Sequence, residues 1–243
     1  MLFDLKGKRR RVVQGTYLTL AVLMGAGLVL FGIGSDVSGG LGDLFKDGGG
    51  SNEANKTIEK RIDAAEKTLA TDPKNSAALA TLVRGHYQLA TSTASAETSE
   101  FTADSVPDLQ KSVAAWKRYQ TTVEKVDPSL ARLVIQAYDG LGRLQKEAQD
   151  ATKYWEGAAG AAEAVATAQP RAQNYILLVQ YATWAGQTRK AELAGQKAIE
   201  LAPKDQKKEA KAAVQQTKAE PPPVAGQQGQ AAQAPQPTPQ PTP

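Results

Sequence analysis

The sequence predicts an all-α protein in which an N-terminal transmembrane helix is followed by an α-solenoid and a disordered C-terminal tail. Three observations lead to this prediction. Residues 12–34 contain no charged side chain. Helical apolar patterns recur along the middle of the chain and end at Pro73, Pro128, Pro170 and Pro203. Aromatic residues make up only 6% of the chain, which suits helices joined by thin, alanine-rich interfaces.

The N-terminal region has the pattern of a membrane anchor. Residues 1–11 are basic, and residues 12–34 are long enough to cross a hydrocarbon core of about 30 Å as a helix. Because the basic residues precede this segment, the positive-inside rule predicts that residues 1–11 are cytoplasmic and that the rest lies outside the cytoplasm. A cleaved signal peptide is the alternative, but the apolar run is long for one and no A-x-A site follows it.

Two low-complexity segments flank the predicted helical domain. Residues 35–51 are rich in Gly and Asp, which predicts a flexible linker. Residues 219–243 are rich in Pro and Gln and have no aromatic residue, so we expect a disordered tail that is partly polyproline II. Between them, residues 52–218 form the predicted helical domain.

The helical domain divides at proline, glycine and Ser/Thr-rich breaks. Residues 91–106 have no apolar stripe and are interpreted as an enlarged loop, most simply a tolerated insertion. The apolar periodicity predicts helices at about residues 52–72, 75–90, 107–126, 129–144, 148–168, 172–185, 188–203 and 204–218.

The helix pair at residues 172–203 carries the clearest family resemblance. Its pattern resembles the tetratricopeptide repeat (TPR), a helix pair of about 34 residues. Ala182 and Gly195 depart from that pattern, since an aromatic residue is usual at both positions. The resemblance implies about three TPR-like pairs and a polar capping helix at residues 204–218. The matching residues are Tyr175, Leu178, Gly186, Ala191, Ala198 and Pro203, and earlier matches are the Asp72-Pro73-Lys74-Asn75 junction, Tyr138 and Gly142.

The resemblance also implies a peptide-binding groove along the first helices of the pairs. A mixture of arginine, amide and aromatic side chains there suits an extended or acidic peptide. Trp184 is the expected hot spot of the groove, although burial between repeats is an equal alternative. The groove residues implied by the register are Arg84, Tyr87, Arg132, Gln136, Gln180 and Trp184.

The inventory of reactive side chains favours binding over catalysis. The chain has no cysteine and one histidine, His86, with no cluster of metal-ligating residues around it. We therefore expect no enzymatic activity, no cofactor and no metal site, and we interpret His86 as a packing residue. The basic N-terminus is expected to set topology, not to bind nucleic acid.

The expected role is a membrane-anchored scaffold whose array binds other proteins or peptides outside the cytoplasm. The layout is similar to bacterial single-pass TPR proteins that accompany protein export and periplasmic chaperones, which implies help with export, folding or envelope assembly. The alternative is a self-associating structural protein of the envelope. Ala21 and Gly25, a small-xxx-small pair in the predicted membrane helix, would support such homo-oligomers.

Overall fold

The computed structural model describes residues 51–219 and 221–225. The chain divides into a unit of residues 1–50 and a unit of residues 51–243, and the described residues all belong to the second. They form eight α-helices with two short 3₁₀ turns and no strand, which confirms the all-α prediction for this part of the chain. The helices are α1 (Ser51–Thr71), α2 (Ser76–Ser92), α3 (Val106–Gln120), α4 (Pro128–Arg143), α5 (Ala148–Ala168), α6 (Ala172–Trp184), α7 (Thr188–Leu201) and α8 (Lys207–Thr217).

The helices stack in chain order, as in an α-solenoid. Each packs against its neighbours along the chain, α2 also packs against α4, and α6 also packs against α8. One hydrophobic cluster runs through the stack, from Ile62 in α1 through Val134 in α4 to Val214 in α8. Alanine supplies many of the buried positions, so the helix axes lie close together and a thin core suffices.

The predicted transmembrane segment at residues 12–34 lies outside the described residues, as do most of the linker and residues 226–243 of the tail. Within residues 51–219 and 221–225, no helix combines the length and the apolar character that a membrane crossing requires.

Asparagine and aspartate cap the N-termini of α2 and α4. Asn75 Oδ1 accepts a hydrogen bond from the Ala78 amide at 2.9 Å, at the start of α2. Asp127 Oδ1 accepts from the Ser129 amide at 2.8 Å, at the start of α4. Each cap satisfies an amide that has no partner inside its helix. Pro128 occupies the first turn of α4, where no amide hydrogen is needed.

The turn between α6 and α7 uses the predicted glycine. Gly186 has φ of +70°, in the left-handed region. The Gln187 amide donates to the Ala182 carbonyl at 2.8 Å, and the Gly186 amide donates to the Thr183 carbonyl at 3.0 Å. This pair of bonds is a Schellman motif, which ends α6 and directs the chain into α7.

Gly195 stands where the tetratricopeptide pattern usually has an aromatic residue, and its packing explains why. A Cβ atom at this position would lie 2.9 Å from Val214 Cγ1, and Val214 is buried in α8. Glycine therefore leaves room for α8 to sit directly on α7. A bulky aromatic at this position would push the last helix away.

Helix α3 is shorter than the sequence predicted. We expected it to extend to Val126, but it ends at Gln120. The hydroxyl of Thr121 donates to the Arg118 carbonyl at 2.7 Å, and the following threonine makes the equivalent bond at 2.8 Å. These bonds satisfy the last carbonyls of the helix and end it early, because threonine side chains compete with the next helical amides.

The chain after α8 also differs from the expectation of a solvated tail that begins at residue 219. Val224 is only 3% exposed, and the Ala219 carbonyl accepts a hydrogen bond from Trp184 Nε1 at 3.1 Å. The β-branched side chain of Val224, which follows three prolines, buries apolar area while the stiff backbone has little freedom to lose. Residues 221–225 therefore pack against the helical array.

Candidate peptide-binding groove

The described residues form an open cleft of about 410 Å³ where α2, α4 and α6 meet. Helices α2, α4 and α6 all contribute to it, together with the segment between α2 and α3 and the end of residues 221–225. We call this the helix-A cleft. It is lined by Tyr87, Thr91, Ser99, Glu100, Phe101, Gln136, Asp139, Gly140, Arg143, Leu144, Tyr181 and Ala225.

One side of the cleft is built around Tyr87. The Tyr87 hydroxyl donates a hydrogen bond to Gln136 Oε1, which links α2 to α4. The Tyr87 ring meets Phe101 edge to face, with centroids 6.0 Å apart and planes at 78°. Burial raises the pKa of Tyr87 above its ordinary value, so the hydroxyl is protonated and can donate at neutral pH.

The other side is built around Asp139. Its Oδ2 lies 2.6 Å from Arg143 Nε within α4, and its Oδ1 accepts from the Tyr181 hydroxyl at 3.2 Å. Burial raises the pKa of Tyr181, and the negative charge of Asp139 raises it further. Tyr181 is therefore a neutral donor, and the aspartate charge is balanced by the adjacent arginine.

The arrangement suits recognition of a peptide main chain. Gln136 is exposed and has both a carbonyl and an amide group, so it can pair with either the N–H or the C=O of a ligand. The ring of Tyr87 beside it offers apolar contact area.

The chain matches no protein-family model, curated protein or solved structure. The function is therefore inferred from the chemistry of the cleft itself.

Two of the six groove residues implied by the sequence, Tyr87 and Gln136, line the cleft. The two arginines lie outside it and connect helices. Arg84 Nη2 is 2.8 Å from Asp127 Oδ2, the cap of α4. Arg132 Nη2 donates to Asn174 Oδ1 at 2.7 Å, which joins α4 to α6.

The remaining two residues that the sequence predicted for the groove, Gln180 and Trp184, lie on α6 and also outside the cleft. Gln180 is half-buried. Trp184 is partly buried, and its ring meets Trp155 and Tyr181 edge to face with centroids 5.2 and 5.3 Å away. Its indole nitrogen donates to the Ala219 carbonyl. Trp184 thus joins α5, α6 and the segment after α8.

Sequence reasoning did not assign Phe101 to the groove. This residue comes from the segment between α2 and α3, and it packs so closely on Gly140 that an added Cβ there would overlap its ring. The segment at residues 91–106 therefore supplies a wall of the cleft. One signal was available, because Phe101 is the single aromatic residue in that Ser/Thr-rich stretch.

His86 is a packing residue in the structure, as its sequence context indicated. It is 6% exposed, and its Nδ1 lies 2.8 Å from Asp108 Oδ1 across the α2–α3 contact. Among residues 51–219 and 221–225, no group of three or more His, Asp or Glu side chains is placed to hold a metal ion.

Proposed function

We propose that the protein is a membrane-anchored scaffold that binds extended peptide segments of other proteins in the helix-A cleft. The array would belong to the TPR class, with three pairs, α2/α3, α4/α5 and α6/α7, and with α8 as the cap. In this proposal the partners are proteins, and neither a cofactor nor a chemical reaction is involved.

One observation carries the binding proposal: three successive first helices contribute polar and aromatic side chains to a single open cleft. Tyr87 comes from α2, Gln136 and Asp139 from α4, and Tyr181 from α6. A surface that crosses several helices can contact several consecutive residues of an extended chain. The glycine turn at Gly186 and the alanine-rich contacts of α6 and α7 support the assignment to the TPR class.

The membrane anchor rests on sequence alone. Residues 12–34 would span the bilayer with the basic residues 1–11 in the cytoplasm and the array outside it. A reporter that is active only outside the cytoplasm, fused after Gly49, tests this orientation. We expect reporter activity for the fusion after Gly49 and none for a fusion after Arg11. The reverse pattern would place the array in the cytoplasm.

Site-specific photocrosslinking in native membranes tests the binding proposal. The probe replaces Gln136, which is exposed in the cleft, and the control probe replaces Glu156, which is exposed on α5 outside the cleft. We expect discrete adducts with other proteins at position 136 and none of these at position 156. Identical patterns at both positions would refute a groove-binding function, and adducts only with a second copy would favour the self-associating structural protein.

A further inference from the structure

The helix-A cleft lies next to a peptide that belongs to the same chain. Helix α8 ends at Thr217, and within four residues of that point the chain enters Pro221-Pro222-Pro223-Val224-Ala225. We call these five residues the proline strap. They contain no regular helix or strand up to Val224, and three successive prolines favour an extended, polyproline II backbone.

The burial pattern of the proline strap is that of a bound ligand. Pro221, Pro223 and Ala225 are exposed, Pro222 is half-buried, and Val224 is buried to 3% exposure. One side of the strap, which carries Val224, therefore faces the protein, and the other side faces solvent. Val224 belongs to the same hydrophobic cluster as the helices of the array.

The path of the strap runs toward the cleft. At its start, the Ala219 carbonyl accepts from Trp184 Nε1 at 3.1 Å, at the end of α6. At its other end, Ala225 lines the cleft together with Gln136 of α4 and Tyr87 of α2. The strap therefore runs from the end of α6 to the cleft that α2, α4 and α6 share.

We propose that the proline strap is a tethered ligand of the helix-A cleft, and that proteins with an exposed, extended Pro-Pro-x-Val segment bind by displacing it. The inference rests on the proposed function, because it specifies the class of peptide that the cleft accepts. Proline suits this role since its backbone is already restricted and loses little entropy on binding. The valine provides the apolar anchor. The other residues that line the cleft, such as Gln136 and Tyr87, would contact the residues that flank this segment in a partner.

The tether makes the strap a competitor. Only residues 218–220 connect it to α8, so its effective concentration at the cleft is on the order of millimolar. If the strap occupies its seat at least about nine-tenths of the time, the apparent affinity for an external peptide is reduced at least about tenfold. Release of the strap should restore that affinity.

Peptide binding to the full-length chain in detergent tests the proposal. The probe is a fluorescein-labelled peptide with the sequence of residues 218–226, KAEPPPVAG, and anisotropy reports its binding. Val224→Asp puts a charge at the buried anchor and is expected to tighten peptide binding at least about tenfold. Gln216→Asp, which adds the same charge at an exposed position on α8, is expected to change it less than twofold. Equal affinities of Val224→Asp and the unchanged chain, or binding to neither, would overturn the proposal.

A second measurement tests directly whether the side chain at position 224 is buried against the array. The chain has no cysteine, so Val224→Cys introduces one thiol whose reaction with a maleimide reports exposure. We expect this thiol to react at least about tenfold more slowly than the thiol of Gln216→Cys, and to react faster when excess unlabelled peptide is added. Equal rates for the two thiols would show that the strap is not seated. If the strap is not seated while the probe at Gln136 still captures other proteins, this inference fails and the proposed function stands; if both fail, the cleft is not a peptide site.

Discussion

Two glycines in the same helix should respond in opposite directions to replacement by alanine. Gly157 and Gly160 both lie inside α5, and alanine at either position gains up to about 1 kcal/mol of helix propensity. At Gly157, the added Cβ would overlap the ring of Tyr138 and lie 2.7 Å from its Cδ1 atom; at Gly160, nothing lies within 4 Å. Tyr138 is 5% exposed in α4, so its ring cannot move aside into solvent.

The magnitudes follow from this difference in space. Overpacking a well-filled core costs about 1–3 kcal/mol, so Gly157→Ala should be less stable than Gly160→Ala by about that amount. For an array of this size, the two melting temperatures should differ by roughly 2–12 °C. Gly160→Ala should melt at or above the temperature of the unchanged chain.

Thermal unfolding followed by circular dichroism on the full-length chain measures this gap. The double variant Gly157→Ala/Tyr138→Leu separates ring overlap from other causes, because removing the ring should remove most of the penalty of the alanine. Equal stabilities of the two single variants, or a higher stability of Gly157→Ala, would refute the close α4–α5 contact.

Three further predictions concern a cap, a titrating tyrosine and a turn. Asp127→Ala removes both the α4 cap and an ion pair and should lower the free energy of unfolding by about 1–2 kcal/mol. Arg84→Ala removes only the partly exposed ion pair and should lower it by less than about 1 kcal/mol. Equal losses for the two variants in urea unfolding would contradict this. Burial raises the pKa of Tyr138 from 10.0 to about 12, so between these pH values the folded protein keeps a proton that the unfolded chain releases. The free energy of unfolding should therefore fall as the pH rises from 10 to 12. Urea titrations should show a shallower fall for Tyr138→Phe. Gly186→Ala should destabilise the turn at φ +70° by about 1 kcal/mol, and Gly186→Asn by less, since asparagine tolerates that conformation better. The asparagine variant should therefore melt at the higher temperature of the two, and the reverse order would contradict the prediction.

The helices were predictable from the sequence because their signals are local. Apolar spacing and the prolines at their ends place all eight, and the glycine at position 186 marks the α6–α7 turn correctly. The early end of α3 at Gln120 was missed because the hydroxyl bonds of the two threonines that follow compete with a continuing apolar stripe.

The cleft was predictable only in part, because it depends on contacts between distant residues. The register of the first helices identified Tyr87 and Gln136, whose contact spans α2 and α4. It could not show that Arg84 pairs with Asp127, since that pair depends on how the two helices are offset. Nor could any local pattern bring Phe101, from a segment that resembles a plain insertion, against Gly140.

The seat of α8 on Gly195 sets the length of the tether that carries the strap. While Val214 is packed on α7, only residues 218–220 separate the strap from the folded array. If α8 detached, residues 202–220 would become the tether, which is roughly six times longer. Since effective concentration falls as about the −3/2 power of tether length, the strap would lose at least about tenfold in its competition for the cleft. The stability of one small terminal helix would then control how readily the groove opens to other proteins.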